Sequence, residues 1–388
     1  GDILQMDEAT FDTNSQDITI ADRFDCNNTA ARTLTLGSST ITIEGNDPGA
    51  FEHFDLRGVN LTFSGADATL VFTSSGQRNI RPNNIVMTMP HLRFTNGANG
   101  ARIFIQHDNT NNRLTFQTID IQTTGQDFGI NDGNRYRPVT FTEPISLPAS
   151  TTFDVRGVGG LSAGDMTTLG NIFEENVDLG SGANGLFYRY TRFEKNFSID
   201  SGTLLFSQDN NQNVEFQGTT TLGVGDAVDV NFNGESDTGA ANGGNYTFLG
   251  DVSISENSTI LFDNNGNGAG INSFATGTTI TVGQNATVRF HNAGTGGVGE
   301  GSTHFFNVTL GAGSTWMFQD QGTNTSYVYG NFLVPFDCAN PVTIRSFSTT
   351  DDALVDFQNQ PVPQWPQGTS VADIDNINAV AMNTDAND

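Results

Sequence analysis

Five histidines, two adjacent-acid pairs and two Asp/Asn-rich loops are the parts of this chain whose residue types could do chemistry. The histidines His53, His91, His107, His291 and His304 are scattered, with no HxH or HExxH spacing. A zinc site needs three or four convergent ligands, so these read as solvated or hydrogen-bonded imidazoles. The pairs Glu174-Glu175 and Asp351-Asp352 would suit sugar hydrolysis, which uses two carboxyl groups flanking one bond. Neighbours on a strand point to opposite faces, so neither pair converges by itself and no catalytic residue is assigned. The loops Asn131-Asp-Gly-Asn-Arg-Tyr-Arg137 and Asp263-Asn-Asn-Gly-Asn267 offer the oxygen ligands that Ca²⁺ takes. Asp132, Asn134, Asp263 and Asn265 are therefore the calcium candidates. Neither loop carries the bidentate Glu that closes an EF-hand, and plain Asx-turns compete with the metal reading. A structural calcium ion is the one cofactor that comes into question.

The elements that must position these residues are short strands in a repeat. Thr203-Leu-Leu-Phe206, Val228-Asp-Val-Asn-Phe232, Thr259-Ile-Leu-Phe262, Thr287-Val-Arg-Phe290 and Thr315-Trp-Met-Phe318 end in phenylalanines 26, 30, 28 and 28 residues apart. Earlier copies at Thr69–Phe72, His91–Phe94 and Arg113–Phe116 recur every 22 residues. A second strand unit, as in Ile41-Thr-Ile43, Ile119-Asp-Ile121, Val252-Ser-Ile254, Ile280-Thr-Val282 and Val308-Thr-Leu310, alternates with period two. Gly/Asn clusters such as Asn96–Gly100 and Asn264–Gly268 separate them, and these residues accept the positive φ of tight corners. A fixed period of this size marks stacked repeats. The pattern predicts an all-β chain, a single-stranded parallel, right-handed β-helix with coils of about 22–30 residues. Tandem β-sandwiches are the alternative, since short strands with regular turns also describe them. The one helical signal, around Met166–Glu175, is broken by Gly and Asn.

Residues 1–20 read as an N-terminal cap or edge strand, 21–357 as the repeat domain with an irregular zone at 120–200, and 358–388 as a Pro/Asp/Asn-rich connector or capping tail. The net charge of −27, from 43 acids against 16 bases with Lys195 the sole lysine, argues against nucleic-acid binding, which needs cations for phosphate. It also argues against anionic membranes, and no apolar run is long enough to insert. Thirty phenylalanines against two tryptophans and six tyrosines point to interior aromatic stacks in place of an aromatic-lined sugar cleft. Cys26 and Cys338, far apart in a solenoid, are expected as two free thiols.

The segment Phe24-Asp-Cys-Asn-Asn-Thr-Ala-Ala-Arg-Thr-Leu-Thr-Leu-Gly-Ser-Ser-Thr-Ile-Thr-Ile-Glu-Gly45 and the later Val308-Thr-Leu-Gly-Ala-Gly-Ser-Thr-Trp-Met-Phe318 resemble repeat units of giant surface adhesins of the Bacteroidetes, of the gliding-motility kind exported by type IX secretion. The resemblance implies a secreted, cell-surface location. It implies partners among glycans or surfaces, other domains of one long polypeptide, and the secretion or motility machinery. It brings no catalytic residues. The expectation is a non-enzymatic adhesin domain that binds through its lateral face and loops, with the loops near 233–245, 263–272 and 291–303 as contact points. The alternatives are a β-helical polysaccharide lyase or glycosidase, and a structural spacer or filament subunit.

Overall fold

The computed structural model describes residues 3–45, 53–58, 60–96, 102–106, 112–130, 137–156, 170–188, 190–206, 213–223, 229–233, 245–263, 272–291, 303–318, 325–335, 339–346, 353–357, 371–375 and 377–379. The strand order is a β-solenoid: up to Ala353–Phe357 the paired strands are parallel and three apart in the chain, so that three strands make one coil. Every described strand pair is parallel, which removes the β-sandwich alternative, and no helix occurs among the described residues. The chain divides into two compact units, Gly1–Thr191 and Arg192–Asp388.

In the first unit the opening coil is Leu4–Gln5, Ala9–Asp12 and Ile18–Ile20, each the outermost strand of its sheet. The segment expected as a cap or edge strand thus follows the coil plan. Coil length then varies. Phe54 lies in register with Phe24, Ile105 with Ile80, Ile130 with Ile105 and Phe187 with Val155. The zone between residues 120 and 200 is irregular in its wording and regular in its strand order. The possible helix is replaced there by the strand Asn171–Phe173, while 157–169 lie outside the described residues.

One periodicity misled. Phe72 and Phe94 are register partners, as their interval of 22 predicts, and their rings stack at 5.1 Å. Phe116 belongs to another face: Leu92 pairs with Ile119, whereas Phe116 pairs with Phe141 and stacks on it at 5.3 Å. The coincidence arises because each coil turns a corner between equivalent phrases, and chain distance alone does not say on which face a strand lies.

The second unit repeats the plan more evenly. Phe232, Phe262 and Phe290 are in register, and Phe262 stacks on Phe290 at 4.8 Å with planes 3° apart. A second inner column runs Phe193, Phe216, Phe248, Phe274 and Phe305, with centroids 4.7–5.5 Å apart. The first phrase is offset, since Leu204 and not Phe206 pairs with Phe232. Beyond residue 357, Val371–Asp375 and Ile377–Ala379 add two parallel strands to Val342–Ser346 and Ala353–Phe357, so part of the tail extends the sheets.

Period-two alternation explains the core: in Thr279–Val282, Ile280 and Val282 are buried, Thr281 between them is exposed and Thr279 is half-buried. Successive coils then place like side chains in columns about 4.8 Å apart, which is near ring-stacking distance and accounts for the phenylalanine columns. Corners use left-handed residues. Asn60, Asn257 and Asn285 have φ of 62°, 59° and 55°, and the Asn285 amide donates to Asn257 Oδ1 at 3.3 Å, one rung of an asparagine ladder.

Arginine supplies a second kind of corner fastening. The buried Arg137 donates from Nε to the Asn112 carbonyl at 2.5 Å, from Nη1 to that of Asn83 at 2.6 Å, and from Nη2 to that of Ile85. Arg113 reaches the carbonyls of Val139 and Gly170 at 3.1 and 3.0 Å, and Arg78 those of Ser74 and Asn96. Only a planar fork of five donors serves several carbonyls at once, which fits a chain with fifteen arginines for its one lysine. Burial pushes Arg78 and Arg137 down to about 10, so both remain charged at neutral pH.

Candidate functional site

The described residues converge best on the third face of the first unit. The strands Thr69–Phe72, His91–Phe94 and Ile119–Ile121 lie side by side, with Thr69 opposite His91, and Val71, Arg93 and Asp120 in one row. Leu70, Phe72, Leu92, Phe94, Ile119 and Ile121 are buried beneath them. Alternation therefore turns Thr69, His91, Arg93 and Asp120 outward on a backbone pinned by stacked rings. The turn before the first strand contributes Asp67, and the residue before the third contributes Thr118.

These side chains with Leu92 line a recess of about 310 Å³, at the small end of ligand sites. Arg93 Nε donates to Asp120 Oδ2 at 2.9 Å, and the Gln122 amide donates to the same oxygen at 3.0 Å. His91 Nδ1 shares a hydrogen bond of 2.9 Å with the Thr118 hydroxyl. Asp67 is exposed and has no hydrogen-bond or ion-pair partner among the described residues. The recess thus combines planar polar groups, held in known orientations, with one free carboxylate.

The sequence left these residues apart. His91 stood among scattered histidines, and Asp67, Arg93 and Asp120 were not singled out. The interval from Phe72 to Phe94 was enough to set His91 beside Thr69. Asp120 was hidden because the next stacked strand ends in Ile121, so a search for terminal phenylalanine jumped to Phe116 on another face.

The other candidates do not join this site. His53 is buried and its Nδ1 accepts the Asn79 N–H at 3.1 Å, a structural role. Glu174 is exposed and Glu175 half-buried, at the corner after Phe173. Asp351, Asp352, His107 and the calcium candidates Asp132, Asn134 and Asn265 lie outside the described residues. Asp263 is described only as the last backbone position of Thr259–Asp263, and His291 likewise ends Thr287–His291. Most of the three loops expected to carry binding are also outside them. No group of three or more His, Cys, Asp or Glu able to hold a metal occurs among the described residues. Among those residues, no helix is long and apolar enough to cross a membrane. Cys26 carries a buried free thiol, raised above its ordinary pKa chiefly by that burial; Cys338 is outside the described residues.

The second unit adds an outer aromatic group that composition concealed. His304 and Tyr327 are register partners, with rings 5.0 Å apart and 27° from parallel; Tyr329 lies 5.8 Å from His304 and bonds its Nδ1 at 2.9 Å. Not every aromatic stack is interior. These rings cover one another's faces along the coil direction, so they fasten neighbouring coils in preference to offering a flat platform to a sugar.

No protein-family model, no curated protein and no solved structure matches this chain.

Proposed function

We propose that the chain is a non-enzymatic, extracellular surface domain whose solenoid displays a lateral face that binds saccharide, as an adhesin does. The observation that carries this reading is the recess around His91: Asp67, Thr69, His91, Arg93, Thr118 and Asp120 on three adjacent coils of one rigid sheet. Planar polar side chains bind paired hydroxyls well, and their positions are set in advance by the sheet, which lowers the entropy lost on binding. The bond from Arg93 Nε to Asp120 Oδ2 orients the guanidinium and leaves its remaining N–H groups to donate to ligand hydroxyls. The resemblance to gliding-motility adhesins points the same way and gives the cell-surface setting and the secretion and motility partners.

A polysaccharide hydrolase or lyase is the second reading, supported by an imidazole and two carboxylates in one recess. One experiment separates them. The full chain is screened on a glycan array, and bound oligosaccharides are then incubated with it and assayed for new reducing ends and for unsaturated products. Retention of an intact glycan, weakened about tenfold or more by the double substitution His91→Ala, Arg93→Ala, is expected. Product formation would transfer the site to the enzyme reading, and a blank array would leave a structural spacer.

A further inference from the structure

We propose that Tyr329 is a site of one-electron oxidation at which His304 takes the phenolic proton, and that the resulting phenoxyl couples to its counterpart on a second copy of the chain. Access singles the residue out. Among the tyrosines whose side chains are described, Tyr190 and Tyr246 are buried and Tyr327 is half-buried, whereas Tyr329 is 37% exposed. Its hydroxyl lies 2.9 Å from His304 Nδ1, a hydrogen-bond length across which a proton can pass. The backbone holds that contact in place. Tyr329 N–H donates to the Phe305 carbonyl at 3.0 Å and Gly330 N–H to that of Phe306 at 2.8 Å, over the buried Phe305 and Val328.

Phenols, with pKa values of about 10, are protonated at neutral pH, so one that loses an electron must lose its proton as well. A base already in contact makes that loss part of the same step. Burial holds His304 below its ordinary value of 6.5, so at pH 7.5 the imidazole is neutral and, as the Nε2–H tautomer, takes the proton at Nδ1. The rings of His304 and Tyr327 lie 5.8 and 6.2 Å from that of Tyr329, at 15° and 16° from parallel. Their π faces ease the positive character that builds on the phenol as the electron leaves.

The electron passes to the oxidant and the proton to Nδ1, leaving a neutral phenoxyl beside an imidazolium that releases its extra proton to water. Two phenoxyls then form a bond between their ortho carbons, and the hydrogens on those carbons move to the oxygens, giving a bityrosine. Over the pair, an oxidant of the haem-peroxidase type uses one hydrogen peroxide, which takes up two electrons and two protons and leaves as two waters. The net charge of −27 keeps copies apart at low ionic strength. Coupling therefore belongs to conditions in which salt limits the repulsion to about 8 Å.

The test incubates the full chain with a haem peroxidase and limiting hydrogen peroxide at pH 7.5 in about 0.15 M salt. Bityrosine fluorescence and covalent dimer are followed with time, and the linked peptides are mapped by mass spectrometry. The link is expected at Tyr329. Tyr329→Phe should remove most of the dimer, and Tyr327→Phe should leave it. His304→Phe keeps a stacking ring and His304→Gln keeps a hydrogen-bond acceptor, yet neither takes a proton. Each should slow the reaction about tenfold or more, given that a positioned base contributes about 10²–10⁴-fold and water replaces it in part. Hydrogen exchange of Thr325–Val328 at the same pH shows which variant keeps the fold. A link through another tyrosine, or no link, would overturn the assignment of Tyr329 whatever the variants do. Wild-type rates in a folded His304 variant would overturn the role of His304. The saccharide reading stands or falls apart from either outcome.

Discussion

Replacing Arg137 tests whether the buried arginines are fasteners or only charges. Its guanidinium takes carbonyls from Asn83, Ile85 and Asn112, segments that precede second-face strands in successive coils. Arg137→Met orphans three acceptors. Each costs about 1 kcal/mol if water can reach it and about 3 if it cannot, a gross loss of about 3–9 kcal/mol. Against this stands relief of the guanidinium's own burial penalty, several kcal/mol, so the net destabilisation falls between about 0 and about 5 kcal/mol and its size reports how far water reaches the orphaned carbonyls. Arg137→Lys is the sharper variant. A lysine keeps the charge, yet a single ammonium on its stem cannot span carbonyls that a planar fork reaches in three directions. If the geometry is what matters, lysine rescues little and the two variants unfold alike. Because solenoid coils interact mainly with their neighbours, a global melt would blur the effect. Hydrogen exchange, read strand by strand, is the assay. Protection should fall in Met87–Thr88, Leu114–Phe116 and Val139–Phe141, and remain unchanged in the strands of the opening coil. Wild-type protection in Arg137→Lys, within about 0.5 kcal/mol, would refute the argument and reduce Arg137 to a buried charge.

Two further outcomes follow from the second unit. Burial holds the His304 imidazole below its ordinary value of 6.5, so the folded state disfavours its charged form. The stability tied to it is complete above that value and falls as the pH drops from 6.5 toward the folded-state value. Exchange protection of Thr303–Phe305 and Thr325–Val328 should decline over that window, and His304→Phe should flatten the decline; an unaltered decline in the variant would assign it to other groups. At the corners, Asn285→Ala should cost about 1–2 kcal/mol, because its φ of 55° is left-handed backbone that Asn tolerates better than Ala and the bond to Asn257 is lost. Asn285→Gly should lose less, and urea unfolding with the reverse order would show that the side-chain rung outweighs the backbone conformation.

The fold was legible because burial repeats and rings stack. A column of Phe262 and Phe290 needs the same residue at the same place in each coil, so selection for the core wrote the coil length into the sequence. The recess was not legible by the same rule, for a physical reason. Outward positions carry no packing constraint between coils, so Thr69, His91 and Asp120 need not resemble one another, and they meet only through a register set by the residues between them. Where the core residue changed from Phe94 to Ile121, the visible phrase broke while the strand pairing continued, and the outward column was lost from view with it. His304 and Tyr327 show the same relation, invisible as a motif yet opposite one another because Phe305 and Val328 are buried partners. In a solenoid of this kind the inward residues give the coordinate system, and the outward ones acquire meaning only after each coil's register has been assigned from the core.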